Sequence, residues 1–210
     1  MSAQNKRDRL IESAAILFHR NGTTATSLSD IAKHSDIPIG NVYYYFKTKE
    51  ELALAAINKR KEQFSAAYTL LDDNIPDPRT RLIEAVRYFD KVSEEYTKYG
   101  CPIGKIIKDA DTEKDPVAQT AAQVFTDFVA WAEKQFAQLG HAGDAHDHAT
   151  TLMAGIQGAT VMAKAFRDVK VMKREMQRLT QWLESIPNKR IQLGKFGMRG
   201  PVASATSNAA

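Results

Sequence analysis

The sequence has one cysteine, Cys101, and no apolar run approaching a membrane span; beyond Asp72 nothing alternates apolar and polar residues with a period of two. A single thiol excludes an intramolecular disulfide and any multi-thiolate metal centre, and it suits a reducing compartment. Crossing a bilayer takes roughly 18 consecutive apolar residues, so no membrane partner is expected. Met1 to Arg9 leads straight into an amphipathic pattern with no signal-peptide core, which points to the cytoplasm. The missing alternation predicts an all-α chain without sheet.

What is present is the composition of a globular protein, 43% hydrophobic and 26% charged over 210 residues. That length allows one large domain or a small one joined to a medium one. The net charge of +4 is unevenly placed: ten of the 29 basic and six of the 25 acidic residues lie at or before Lys61, leaving 19 of each beyond. The excess therefore lies in the first third, as expected where that part meets a polyanion.

Leu10, Ile11, Ala14, Ala15, Leu17 and Phe18 recur at helical spacing, so a first amphipathic helix is expected from about Lys6 to Arg20. Asn21-Gly22 ends it, since glycine takes a left-handed conformation at no steric cost. Ser27, three residues before Asp30, opens a short second helix that buries Leu28, Ile31 and Ala32. Pro38 disfavours helical geometry at Ile37 and is acceptable at the start of a third helix, giving two short helices joined by a tight turn. With a helix packed behind them these form a helix-turn-helix, whose second helix enters the major groove of DNA. Val42 and Phe46 face inward; Ile39, Gly40, Asn41, Tyr43 and Tyr44 are left outside. Thr48 and Glu51 then form the fuller of the two capping boxes and open a long helix to about Leu71, with Lys47 and Lys49 beside its N-terminus.

The stretch Thr26-Ser27-Leu28-Ser29-Asp30-Ile31-Ala32, followed by Ile37 through Leu52 with its Tyr43-Tyr44-Tyr45-Phe46 run, resembles the DNA-binding signature of the TetR family of bacterial transcriptional repressors. The likeness covers residues 8–60. It implies an all-helical fold with an N-terminal three-helix DNA-binding domain and a C-terminal effector-binding and dimerisation domain. On that division residues 1–50 form the helix-turn-helix domain, 51–71 a connecting helix, 72–187 the C-terminal domain and 188–210 a flexible tail. By position the resemblance implies phosphate contacts from Ser27, Tyr43, Tyr44 and Lys49, and base reading by Ser29, Ile39, Gly40 and Asn41. Asn41 has the chemistry to pair with both edges of adenine. Two positions depart from the pattern: Pro38 stands where Ser or Thr usually caps, and Tyr45 where His is common, so Tyr45 either touches phosphate or packs internally.

From Arg79 a stripe of Leu82, Ala85, Val86, Phe89, Val92 and Tyr96 predicts one helix ending at Tyr99-Gly100. Pro102 starts a short helix, and Pro116 a long one with Val124, Phe128, Trp131 and Phe136 inward. Cys101, at a helix N-terminus one turn before Lys105, has two readings. Both neighbours favour a thiolate, as in an oxidant or electrophile sensor or a thiol enzyme, whereas a free cysteine is otherwise a small buried hydrophobe. No oxyanion-type glycine motif accompanies it, so an enzyme is not expected. His141, His146 and His148 with Asp144 and Asp147 have a spacing that invites a metal. Gly140 to Gly143 reads as a loop, however, and Asp144 as a helix cap, so neither metal nor cofactor is expected.

The resemblance places a homodimer contact on the last two helices, through Leu152, Ile156, Phe166, Met176, Leu179, Trp182, Leu183 and Ile186; a monomer core competes for the same residues. A small apolar or aromatic effector between the middle helices would contact Phe89, Tyr96, Tyr99, Cys101, Ile103 and Ile106. Phe125, Phe128, Trp131, Met153 and Gln157 complete that candidate lining. The whole reads as a repressor of double-stranded operator DNA released by its effector.

Overall fold

The computed structural model describes residues 3–109 and 114–189, which form ten helices and, among the described residues, no strand. The first three are α1 (Ala3–Asn21), α2 (Leu28–Ser35) and α3 (Ile39–Tyr45). After them come the long α4 (Lys49–Asn74), then α5 (Pro78–Lys91), α6 (Ser93–Tyr99) and α7 (Pro102–Asp109). The chain closes with α8 (Pro116–Gln138), α9 (Ala145–Phe166) and α10 (Val169–Ser185). All but the first two residues of the expected tail lie outside the described residues.

The helix boundaries follow local chemistry. Gly22, at φ +95°, stops α1 and returns its N–H to the Phe18 carbonyl at 2.9 Å. Ser27 accepts the Asp30 amide at 3.1 Å while the Asp30 carboxylate accepts the Ser27 amide at 2.9 Å, a complete capping box. At α4 the box is only half made, contrary to the expectation that it is the fuller one. Thr48 accepts the Glu51 amide, but the Glu51 carboxylate reaches past the cap to the Lys47 amide at 2.7 Å.

Two further expectations are corrected. The stripe from Arg79 to Tyr99 is two helices, because Val92 (φ −94°, ψ 9°) leaves helical geometry, ends α5 and starts α6. The long α4 continues through Asp72 to Asn74, where Arg81, buried at the start of α5, holds its end. Arg81 donates to the Ile75 carbonyl at 2.6 Å, the Asp72 carbonyl at 3.1 Å and the Gln135 side chain at 2.9 Å. Asp72 in turn accepts from Trp131 and Gln135 of α8 at 3.2 Å each. A polar knot thus closes the corner between α4, α5 and α8, satisfying carbonyls that a helix end leaves without partners.

The apolar interior forms two clusters. One joins Leu82, Phe89, Phe128, Trp131, Phe136, Leu152, Ile156, Met172, Met176 and Leu183, from α5, α8, α9 and α10. The other joins Leu10, Phe18, Ile31, Val42, Phe46, Leu52 and Ile57 from α1–α4 with Ile103, Ile106, Val117 and Val124 from α7 and α8. The helix-turn-helix therefore shares its core with the middle of the chain, and Cys101 touches both clusters. Arg81→Met, which keeps the apolar stem but strands the carbonyls of Ile75 and Asp72, is expected to cost about 2–4 kcal/mol of unfolding free energy, measured by urea denaturation.

Candidate nucleic-acid interface and effector groove

Residue by residue, the α2–turn–α3 unit is built to present one face. Asp36 adopts a left-handed conformation (φ 53°) that short polar side chains tolerate, and it turns the chain so that Ile37 is buried. Val42 and Phe46 plug α3 into the core, with the Arg7 guanidinium 5.2 Å from the Phe46 ring centre. Ser29, Ile39, Gly40, Tyr43 and Tyr44 are exposed, Tyr44 at 74%, and Asn41 is half-buried beside them. A Cβ built on Gly40 meets nothing within 4 Å. Packing inside the subunit therefore does not require glycine there, whereas close approach of an outside partner would. Pro38 caps α3 with its backbone only: its carbonyl accepts the Asn41 amide at 2.8 Å.

Two of the four expected phosphate-contacting residues, and Tyr45 with them, are committed elsewhere. The Ser27 hydroxyl is 2.6 Å from the Asp30 carboxylate, whose pKa is lowered by that bond and by the Ser27 amide. The Lys49 ammonium donates to the Thr23 carbonyl at 2.8 Å, pinning the α1–α2 loop to α4. Tyr45 is half-buried against the core, with its ring edge-on to Tyr44 at 5.0 Å, so it packs internally.

A second feature is an open groove of about 1040 Å³ between α6, α7 and α9. Its lining includes Lys98, Lys105, Lys108, Lys164 and Arg167, against Glu94 and Asp109, with Tyr99, Gly100, Gly104, Val161 and Ala165 between them. Of the expected effector contacts only Tyr99, Cys101 and Gln157 line it. Phe89, Tyr96, Phe128 and Trp131 are spent on the C-terminal core, and Met153 packs against it. Ile103 and Ile106 are buried in the other core, where Phe125 also packs. The inward stripes make the bundle's interior, which leaves little of them for a ligand.

The thiolate reading of Cys101 is corrected as well. Burial pushes its thiol up, outweighing the Gly104 amide 3.4 Å from Sγ. Lys105 turns away and donates to the His19 and Arg20 carbonyls at 3.3 and 2.9 Å. Likewise Leu152, Ile156, Met176, Leu179, Leu183 and Ile186 are buried within the subunit and cannot also form an outer face. Only Phe166 among the expected dimer residues is exposed, and Trp182 is half-buried.

The seam joining the groove to α1 escaped sequence reasoning. His19, buried in the last turn of α1, places Nε2 2.7 Å from the Gly100 carbonyl and its ring edge-on to Tyr96 and Tyr99. Asp109 accepts the Thr23 amide at 2.9 Å, at a point where a side chain on Gly22 would collide with it at 2.6 Å. Position was the available signal: His19 follows Ala15 by one turn on the apolar side of α1.

An all-helical chain presenting an exposed recognition helix, backed by a bundle with a charged groove, is a DNA-binding transcriptional regulator rather than an enzyme. The model of bacterial regulatory proteins of the tetR family matches residues 10–56, and that of the C-terminal domain of LmrA/YxaF-like transcriptional regulators matches residues 82–178. The chain belongs to the TetR family of transcriptional regulators. An uncharacterised HTH-type regulator of Mycobacterium tuberculosis is 29% identical over 175 residues, covering 79% of this chain and 88% of its own. The regulator LmrA of Bacillus subtilis is 25% identical over 172 residues, covering 78% and 88%. A TetR-family regulator from Agrobacterium tumefaciens superposes with a TM-score of 0.75 at 18% identity, covering 86% of this chain and 98% of that one. One from Chloroflexus aurantiacus gives 0.74 at 23%, covering 87% and 96%. Family membership carries the coarse function, a ligand-responsive DNA-binding regulator. Among the described residues no helix is long and apolar enough to cross a membrane.

The seam has a pH signature. Burial lowers the His19 pKa below its ordinary 6.5, against the Gly100 carbonyl and the Glu95 carboxylate that favour the imidazolium. As pH falls through about 6.5 the unfolded chain takes up the proton first, so folding stability declines until the folded ring also protonates. Unfolding free energies measured between pH 5 and 8 should fall with acid in the wild type, and His19→Gln should flatten that slope.

Proposed function

We propose that the protein is a homodimeric repressor released from its operator by a small anionic effector held in the groove between α6, α7 and α9. The carrying observation is the groove's charge, five cationic side chains against two carboxylates. Partial burial and the neighbouring Lys164 ammonium push the Lys105 pKa down, so the cluster gains from an incoming anion. This reading replaces the purely apolar or aromatic effector expected from the inward stripes. Tyr99 and Val161 still offer a flat apolar wall, so an aromatic or aliphatic acid fits better than a bare inorganic ion.

The groove reaches the DNA-binding unit through Lys105 and Asp109. Both line it, and both hold the end of α1. An anion that draws Lys105 from the His19 and Arg20 carbonyls, and repels Asp109 from Thr23, loosens the helix behind the helix-turn-helix. A ligand shifts such an equilibrium only by binding the released geometry better. The operator contact falls to Ser29, Ile39, Gly40 and Asn41 at base edges, and to Tyr43 and Tyr44 at phosphates. The dimer contact falls to the outer face of α9, where Met162 and Phe166 are exposed, with Gly155 and Gly158 on the side of Met162. Two recognition helices then meet successive major grooves about 34–36 Å apart.

For the DNA face, Tyr44→Ala should weaken binding to all sequences alike, while Asn41→Ala relaxes preference at one base position by about 1–3 kcal/mol. Phe166→Glu should give a monomer in analytical ultracentrifugation with the affinity of a single half-site. For the groove, operator-bound protein is titrated with aromatic carboxylates and with their neutral amides. Release by the acids alone is expected, and Lys108→Glu should raise the half-release concentration about tenfold, or about 1.4 kcal/mol, without changing operator affinity in their absence. Equal release by the amides would sink the anionic reading.

A further inference from the structure

We infer that His141, Asp144 and His148 form a binding site for a divalent transition-metal ion of the zinc class, joining the α8–α9 connection to the first turn of α9. The three ligand atoms lie within 4.8 Å of one another. His141 Nδ1 is 3.3 Å from Asp144 Oδ1, and His148 Nε2 is 3.5 Å from Asp144 Oδ2. A tetrahedral ion with bonds of about 2.0–2.1 Å separates its ligand atoms by about 3.3–3.4 Å, so the edge from His141 to Asp144 Oδ1 is already at that length, while His148 lies against the other oxygen of the same carboxylate.

A buried histidine nitrogen and a buried carboxylate oxygen meet at the centre. His141 is 4% exposed, and its Nε2 lies 2.7 Å from the Pro187 carbonyl. A carbonyl only accepts, so Nε2 donates and Nδ1 is the ring atom turned toward the carboxylate. Nδ1 and Asp144 Oδ1 face each other across 3.3 Å, and both are shut from solvent with no hydrogen-bond partner. Left so, each costs the desolvation of a polar group; a metal ion between them satisfies both. The Pro187 carbonyl meanwhile fixes the ring's tautomer and orientation, as metal-bound histidines generally require.

Asp144 is available because it does not do what its sequence position suggests. It stands at the N-cap of α9, yet its side chain makes no capping hydrogen bond. The expected cap is replaced by contacts to His141, to His148 and to the Lys189 ammonium at 3.6 Å. Lys189 alone cannot serve the buried oxygen, since it approaches Oδ2 and not Oδ1. His146 is no ligand: it is exposed and paired with Glu133 at 3.1 Å. The rings of Phe136 and Trp182, 5.2 and 5.8 Å from that of His148, wall one side. Two imidazoles and one carboxylate leave a fourth position for water, the donor set that suits zinc and its neighbours better than calcium or magnesium. This replaces the expectation of no metal.

The test uses the full chain without an affinity tag, stripped by chelator and titrated with Co(II). One equivalent should bind with the visible ligand-field bands of a four-coordinate site and be displaced by Zn(II). At a hundredfold excess over its Kd, Zn(II) should raise Tm by about 5–10 °C. His148→Gln and Asp144→Asn should each weaken Co(II) binding at least a hundredfold while leaving Tm in chelator near the wild-type value. His146→Gln should change nothing. Absence of stoichiometric bands, or binding that persists in His148→Gln, would overturn the site. So would nitrogen NMR showing His141 protonated at both ring nitrogens and unmoved by Zn(II), because a second proton would then fill the gap assigned to the metal.

Discussion

The end of α1 has to be held, and the groups that hold it come from far along the chain. A helix leaves its last carbonyls without partners, and in α1 those carbonyls lie between the DNA-facing unit and the rest of the bundle. Lys105 takes two of them, His19 reaches across to the Gly100 carbonyl, and Asp109 holds Thr23 just beyond. All of these partners come from α6 and α7 or the bend between them. A side chain on Gly22 would be strained at φ +95° and would also have to displace the Asp109 carboxylate. The orientation of the recognition helix is thus tied to a short stretch of chain some 80 residues later.

The shared core reinforces that tie. Ile103 and Ile106 pack among the side chains of α1–α4, so the N-terminal helices do not bury their apolar faces on their own. A close-packed interior transmits displacement instead of absorbing it. The helix α7 lines the groove with its outer side and the DNA-binding unit's core with its inner side, although the groove's lining lies 50 residues or more beyond Tyr44. Cys101, at the junction of the two clusters, packs against both, and burial raises the pKa of its thiol.

The N-terminal third was legible because its determinants are local. Gly22 as a stop, Ser27 with Asp30 as a box, and the Val42–Phe46 pair as an anchor each depend on residues within a turn of one another. Where sequence reasoning missed, the determinant was distant. Lys49 looks like a free cation beside a helix end, but Thr23 lies within its reach only once α4 is packed on α1. Val92 belongs to an unbroken apolar stripe, yet its backbone (φ −94°, ψ 9°) divides α5 from α6. The apolar residues offered for a pocket and for a dimer were genuine inward faces. Periodicity says that a face is buried and does not say against what.

The sequence alone settled the helical class, the helix-turn-helix and its inward anchors, since periodicity, capping and turn chemistry operate over a few residues. The path of the chain in space settled the rest. It collected Lys98, Lys105, Lys108, Lys164 and Arg167 from three helices around one groove. It drew His19 onto a carbonyl 81 residues away, and it faced His141 with Asp144 under the end of α10. Charge and hydrogen bonding act across a few ångströms, and no spacing along the chain records which side chains packing will bring that close.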